Sequence, residues 1–108
     1  MTRARLRPLA EADLVERSHH YANEASDQVA ERFFDAALAP LRAVERMPGT
    51  GTPPVGELCD IPGLRTRRIT GFPCGWYYFV RADHLDVVRL LADTQDVAAI
   101  LDVIDDDA

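Results

Sequence analysis

Residues 61–80 read IPGLRTRRITGFPCGWYYFV, and the way this stretch folds decides the architecture of the chain. Arg65 to Thr70 has the alternation of a strand. Gly71-Phe72-Pro73 carries turn chemistry, and Gly75 to Arg81 is aromatic and β-branched, the composition of a second strand. Ala82-Asp83-His84 allows only a tight connection before LDVVRLL, Leu85 to Leu91. The expectation is an antiparallel three-strand meander. In its last strand the odd positions carry Leu85, Val87, Arg89 and Leu91, and the even ones Asp86, Val88 and Leu90. Both faces are largely apolar, as they are along Trp76 to Val80. A half-solvated strand alternates cleanly, so something covers the second face too. A helix after the last strand covers part of it, and a partner chain is the expected remainder.

Upstream, residues 3–9 (RARLRPL) alternate charged and apolar positions and predict a short strand. From Ala10 to Ala25 the period becomes helical, with Leu14, Ser18, Tyr21, Ala22 and Ala25 on one face. Ser26 or Asp27 is placed to cap a second helix whose stripe is Val29, Ala30, Phe33, Phe34, Ala37, Leu38, Leu41 and Val44. The two make an antiparallel hairpin joined around Asn23 to Asp27. Pro40 lies inside the stripe without an amide to bond Ala36, which predicts a kink or a broken turn. Residues 48–63 hold four of the seven prolines and four of the six glycines, a long loop. Downstream, Asp93 or Thr94 is placed to cap a short helix with Val97, Ile100, Leu101 and Ile104 on one face, before a solvated acidic tail. The sum is one α+β domain, residues 1–108, with the sheet and helix hairpin in two layers.

Composition narrows the function. Of 108 residues, 47% are apolar and 28% charged, as in a soluble globular protein. No apolar run approaches the roughly 18 residues of a membrane span, and no leader-like segment opens the chain, so a cytoplasmic protein is expected. Cys59 and Cys74 stand apart from any His or Cys at ligand spacing, which makes a poor metal site, and no cofactor is implied. A net charge of −6 argues against general nucleic-acid binding. The charge is uneven: residues 61–92 have five arginines against two aspartates (+3), and residues 93–108 have six aspartates and no base (−6).

The Ile61–Val80 stretch, followed by HLDVVRLLADTQDVAAIL, resembles the RelE/ParE toxin superfamily, and its ParE branch in particular. LRPLAEADLVE near the start, the ERFFDAALAPLRAVERMPGTG helix ending and the order of elements match as well, so the resemblance spans nearly the whole chain. It implies the small α+β fold just described and the toxin of a bacterial type II toxin–antitoxin pair, neutralised by an antitoxin. ParE-like members poison DNA gyrase, whereas RelE-like members cleave messenger RNA on the ribosome.

Cleaving RNA requires groups that activate a 2′-hydroxyl, stabilise a charged phosphorane and protonate the leaving oxygen. The resemblance places an arginine of RNase-type members near Cys74-Gly75-Trp76, and a histidine and an arginine where this chain has Ala92 and Gln95 among aspartates. That set is incomplete, so a non-enzymatic toxin acting on DNA gyrase is expected, with a ribosome-dependent mRNA endonuclease and a degenerate, non-toxic relative that only binds its antitoxin as rivals. His19, His20 and His84 read as surface or packing residues. Arg65, Arg67 and Arg68 either face water and acidic neighbours or grip partner carboxylates. Arg89 is the residue expected to do something specific; its structural alternative is a salt bridge to Asp86 or Asp93. Trp76 and Tyr78 either anchor an antitoxin segment or fill the core.

Overall fold

The computed structural model describes residues 3–47 and 61–101. Most of the expected loop at 48–63, Cys59, Ile104 and the acidic tail lie outside the described residues. The elements run β1 (Arg3–Leu6), α1 (Pro8–Glu24), α2 (Asp27–Arg46), β2 (Arg65–Arg68), β3 (Cys74–Val80), β4 (His84–Ala92) and α3 (Val97–Leu101).

β1 is shorter than the expected 3–9 because Pro8 opens α1. Proline lacks the amide that a first helical turn leaves unbonded anyway, and its φ suits that position. Ser26 caps α2, its hydroxyl accepting from the Val29 amide at 3.1 Å. Pro40 does not break α2, which is one helix from Asp27 to Arg46. The missing amide deprives only the Ala36 carbonyl, and the packing of Phe33, Ala37, Leu41 and Val44 holds the flanking turns. Phe34 corrects the expected stripe: it lies at the margin and is exposed.

β2, β3 and β4 form the predicted meander, and β1 adds in parallel beside β4, giving the order β1-β4-β3-β2. Gly71, at φ +85°, turns β2 into β3 with a backbone that side chains disfavour. The helix hairpin packs on one face over a core that includes Ala10, Leu14, Phe33, Ala37, Leu41, Val44, Trp76, Tyr78, Leu85, Val87 and Leu90. At the turn end, the rings of Tyr21, Phe33 and Phe72 meet pairwise at centroid distances of 5.0–5.2 Å.

The opposite face overturns the expectation of a partner chain. Leu64, Phe79, Val88, Leu91 and Leu101 form a second cluster there, with Ile61, Tyr77, Val97 and Ile100 at its margin. The protein covers its own sheet. A register shift explains why β4 looked apolar on two faces: Tyr77 pairs with Arg89, but Tyr78 pairs with Val87. This bulge changes the phase of alternation, so Leu85, Val87 and Leu90 all face the helices while Val88 and Leu91 face away.

α3 is capped by Asp96, whose carboxylate accepts from Ala99 at 3.1 Å, and not by Asp93 or Thr94. Asp93 is held instead by the sheet: its amide donates to the Pro73 carbonyl at 2.9 Å and its carboxylate pairs with Arg68. Gln95 closes the intervening turn by accepting from the Ala92 amide at 2.7 Å.

Candidate functional site: arginines of the sheet

The sheet distributes the six candidate residues in three ways. Trp76 and Tyr78 point into the helix-side core and are 0% and 1% exposed, so neither anchors a partner segment. Strand alternation puts them there; their neighbours Tyr77 and Phe79 take the other face. The Trp76 indole donates to the Ala37 carbonyl at 2.7 Å, tying sheet to helix one turn before Pro40. The Tyr78 hydroxyl is buried without a hydrogen-bond partner among the described residues, and burial pushes its phenol above the ordinary range against the pull of Arg65 and Arg67.

Arg89 also turns inward. Its Nε and Nη2 donate to the two carboxylate oxygens of Asp13 on α1 at 2.7 and 2.9 Å, and the Leu90 amide adds a third bond to Asp13 at 3.0 Å. The expected salt bridge exists, but with Asp13 rather than Asp86 or Asp93. Donating to the Asp13 carboxylate raises the guanidinium pKa further. Asp13 precedes the buried Leu14 on α1 and sits over β4, a long-range pairing that no local spacing announces.

The third group lies on the edge strand β2. Arg65 and Arg67 stand opposite Tyr78 and Trp76 in register and are half-buried; Arg68 is exposed. Arg68 forks onto Asp93 at 2.8 and 2.6 Å, which holds that carboxyl below its usual range.

One cluster escaped the sequence reading. Asp86 is 5% exposed and faces away from the helices. Arg7 donates to both of its oxygens, at 2.9 and 2.8 Å, and Arg81 reaches it at 2.9 Å while stacking over Phe79 at 4.5 Å. Burial alone would raise the Asp86 pKa, but the bonds from Arg7 and Arg81 win and hold it low. The available signal was an acid in the middle of a buried strand, which demands a cation.

Among the described residues no convergent acid–base set stands at the β4 terminus, where Ala92, Asp93 and Gln95 are engaged in the turn and the Arg68 pair. His19 and His20 are exposed on α1, with His20 edge-on to Tyr21, and His84 pairs with Asp83 in the β3–β4 turn at 2.7 Å. Among the described residues no group of three or more His, Cys, Asp or Glu is placed to hold a metal, and no helix is long and apolar enough to cross a membrane.

No protein-family model matches this chain. No curated protein matches it either. A solved structure described as the chromosomal ParDE TA system from P. aeruginosa superposes with a TM-score of 0.71, over 85% of this chain and 96% of that one, at 19% identity. The two share a fold, the α+β architecture assembled above.

Proposed function

We propose that this protein is the toxin of a type II toxin–antitoxin pair, neutralised by a cognate antitoxin and acting on DNA gyrase without catalytic chemistry of its own. The observation that carries the reading is the likeness of nearly the whole fold to the ParDE structure. The chemistry of the sheet supports the non-enzymatic part. An RNase needs a base, an acid and a phosphorane-stabilising cation at one point. Trp76 is instead core, Arg68 is paired to Asp93, and Ala92 and Gln95 stand at the end of β4. The partner and target are proteins in this reading, with no direct nucleic-acid binding by the toxin alone, and the setting is the cytoplasm.

Induction of the protein alone in bacteria tests the proposal. A gyrase poison produces filamentous cells and a DNA-damage response while translation continues, and co-expression of the neighbouring small gene restores growth. Early translation arrest with transcripts cut at ribosome-bound sites assigns an endonuclease instead. Normal growth, with the neighbouring gene product still co-purifying, assigns a non-toxic relative that only binds its antitoxin.

A further inference from the structure

β1 and the residue after it place arginine at every second position: Arg3, Arg5 and Arg7. Ala4 and Leu6 pack against the helix-side core, so the arginines project from the other face. Arg7 turns onto Asp86, whereas Arg3 and Arg5 are exposed. Around the sheet edge, Arg3 borders a depression of about 370 Å³ that it shares with Arg42, Glu45 and Arg46 of the last turns of α2. In that depression three arginines meet one glutamate, a local balance of +2 on a chain whose net charge is −6, and Arg5 stands two positions further along β1, near Asp83.

The backbone limits how a partner can approach. The Arg7 amide donates to the Val87 carbonyl, so odd-numbered amides of this strand point at β4 and even-numbered ones point outward. The outward Ala4 amide is capped by the Glu45 carboxylate at 2.8 Å. Strand addition at this position would displace that carboxylate, so a partner here is held by side chains.

We infer that the β1 edge and the C-terminal turns of α2 form a docking surface for an acidic polypeptide segment, gripped through Arg3, Arg5, Arg42 and Arg46. Guanidinium forks match carboxylates, as Arg7 and Arg89 already show on Asp86 and Asp13. A long nucleic acid would bring its charge against the remaining acidic surface, whereas a short acidic segment meets only the basic strip. The inference rests on the proposed function only for the partner's identity, which would be the antitoxin.

The test is fluorescence anisotropy with the full-length protein and a labelled ten-residue Asp/Glu peptide, at low and high salt. The wild type is expected to bind in a salt-sensitive manner, Arg5→Glu to weaken binding about tenfold, and Arg3→Glu with Arg5→Glu to abolish it. Arg32→Glu makes the same change in net charge about three turns before Arg42 on α2, and is expected to leave affinity unaltered. Arg3→Gln with Arg5→Gln repeats the experiment should charge reversal disturb β1, with far-UV circular dichroism as the check on folding. Three results would overturn the inference: no binding by the wild type, an equal loss in Arg32→Glu, or tighter binding of a single-stranded oligonucleotide that the same arginines govern. Because the assay uses purified protein and a defined peptide, it stands or falls apart from the toxicity experiment.

Discussion

The two faces of the sheet are covered in different ways. On one, 37 residues of α1 and α2 lay continuous apolar stripes over Trp76, Tyr78, Leu85, Val87 and Leu90. On the other, a five-residue helix and the segment around Ile61 to Leu64 cover Phe79, Val88 and Leu91. A helix that short has no stability of its own and exists because the sheet gives Leu101 somewhere to go. Each face also carries ion pairs: Asp13–Arg89 locks helix to strand, and Asp86 between Arg7 and Arg81 ties the start of β4 to the residues that follow β1 and β3. The helix face is therefore expected to fail globally and the α3 face locally.

Substitutions can break that contrast. Trp76→Ala removes the largest buried side chain and its bond to Ala37, and should lower unfolding free energy by about 3–5 kcal/mol in urea. Asp86→Asn leaves two guanidiniums without their carboxylate, a loss of about 2–3 kcal/mol. It also changes the response to acid. Because the folded Asp86 pKa is below its unfolded value, its contribution is complete above the ordinary aspartate range and disappears as pH falls through the folded value. Wild type minus Asp86→Asn should therefore shrink below about pH 4, and a difference constant with pH would refute the linkage.

Leu101→Ala should lower stability by about 2 kcal/mol, less than Trp76→Ala, because a short terminal helix can settle into the gap. Hydrogen exchange should show faster opening in α3 and the end of β4 while α2 stays protected; uniform acceleration would erase the distinction between the faces. Arg89→Ala should lower stability by about 1–2 kcal/mol, since Asp13 retains the Leu90 amide and some solvent. Any weakening of partner binding should then track stability, and a binding loss at unchanged stability would return Arg89 to the interface. Last comes Arg68→Ala. Its pair with Asp93 is solvent-exposed at 62% and 46%, and its thermal midpoint should match the wild type.

Much of this was legible in the chain. The hairpin stripe, the Ser26 cap, the Gly71 turn and the order of elements followed from periodicity and turn chemistry, which act within a few residues. The candidate site was less so. Arg65, Arg67 and Arg68 were rightly placed on a strand, but Trp76 and Tyr78 lie in the core because a two-residue period says which side chains share a face and not which face meets the helices. The bulge between Tyr77 and Tyr78 hid the real alternation of β4, and a strand that switches phase looks apolar on both sides.

The amino-acid sequence by itself determined which segments are helix and strand, where the turns fall, and that the chain is acidic overall with arginine as its only basic side chain other than histidine. Tertiary structure alone decided that Arg89 meets Asp13 across 76 positions, that Arg7 and Arg81 converge on Asp86, and that Leu64 and Leu101 close the second face. The physical reason is range. Backbone preference and periodicity are encoded among near neighbours, whereas a buried charge accepts whichever opposite charge the packed chain brings within hydrogen-bonding distance.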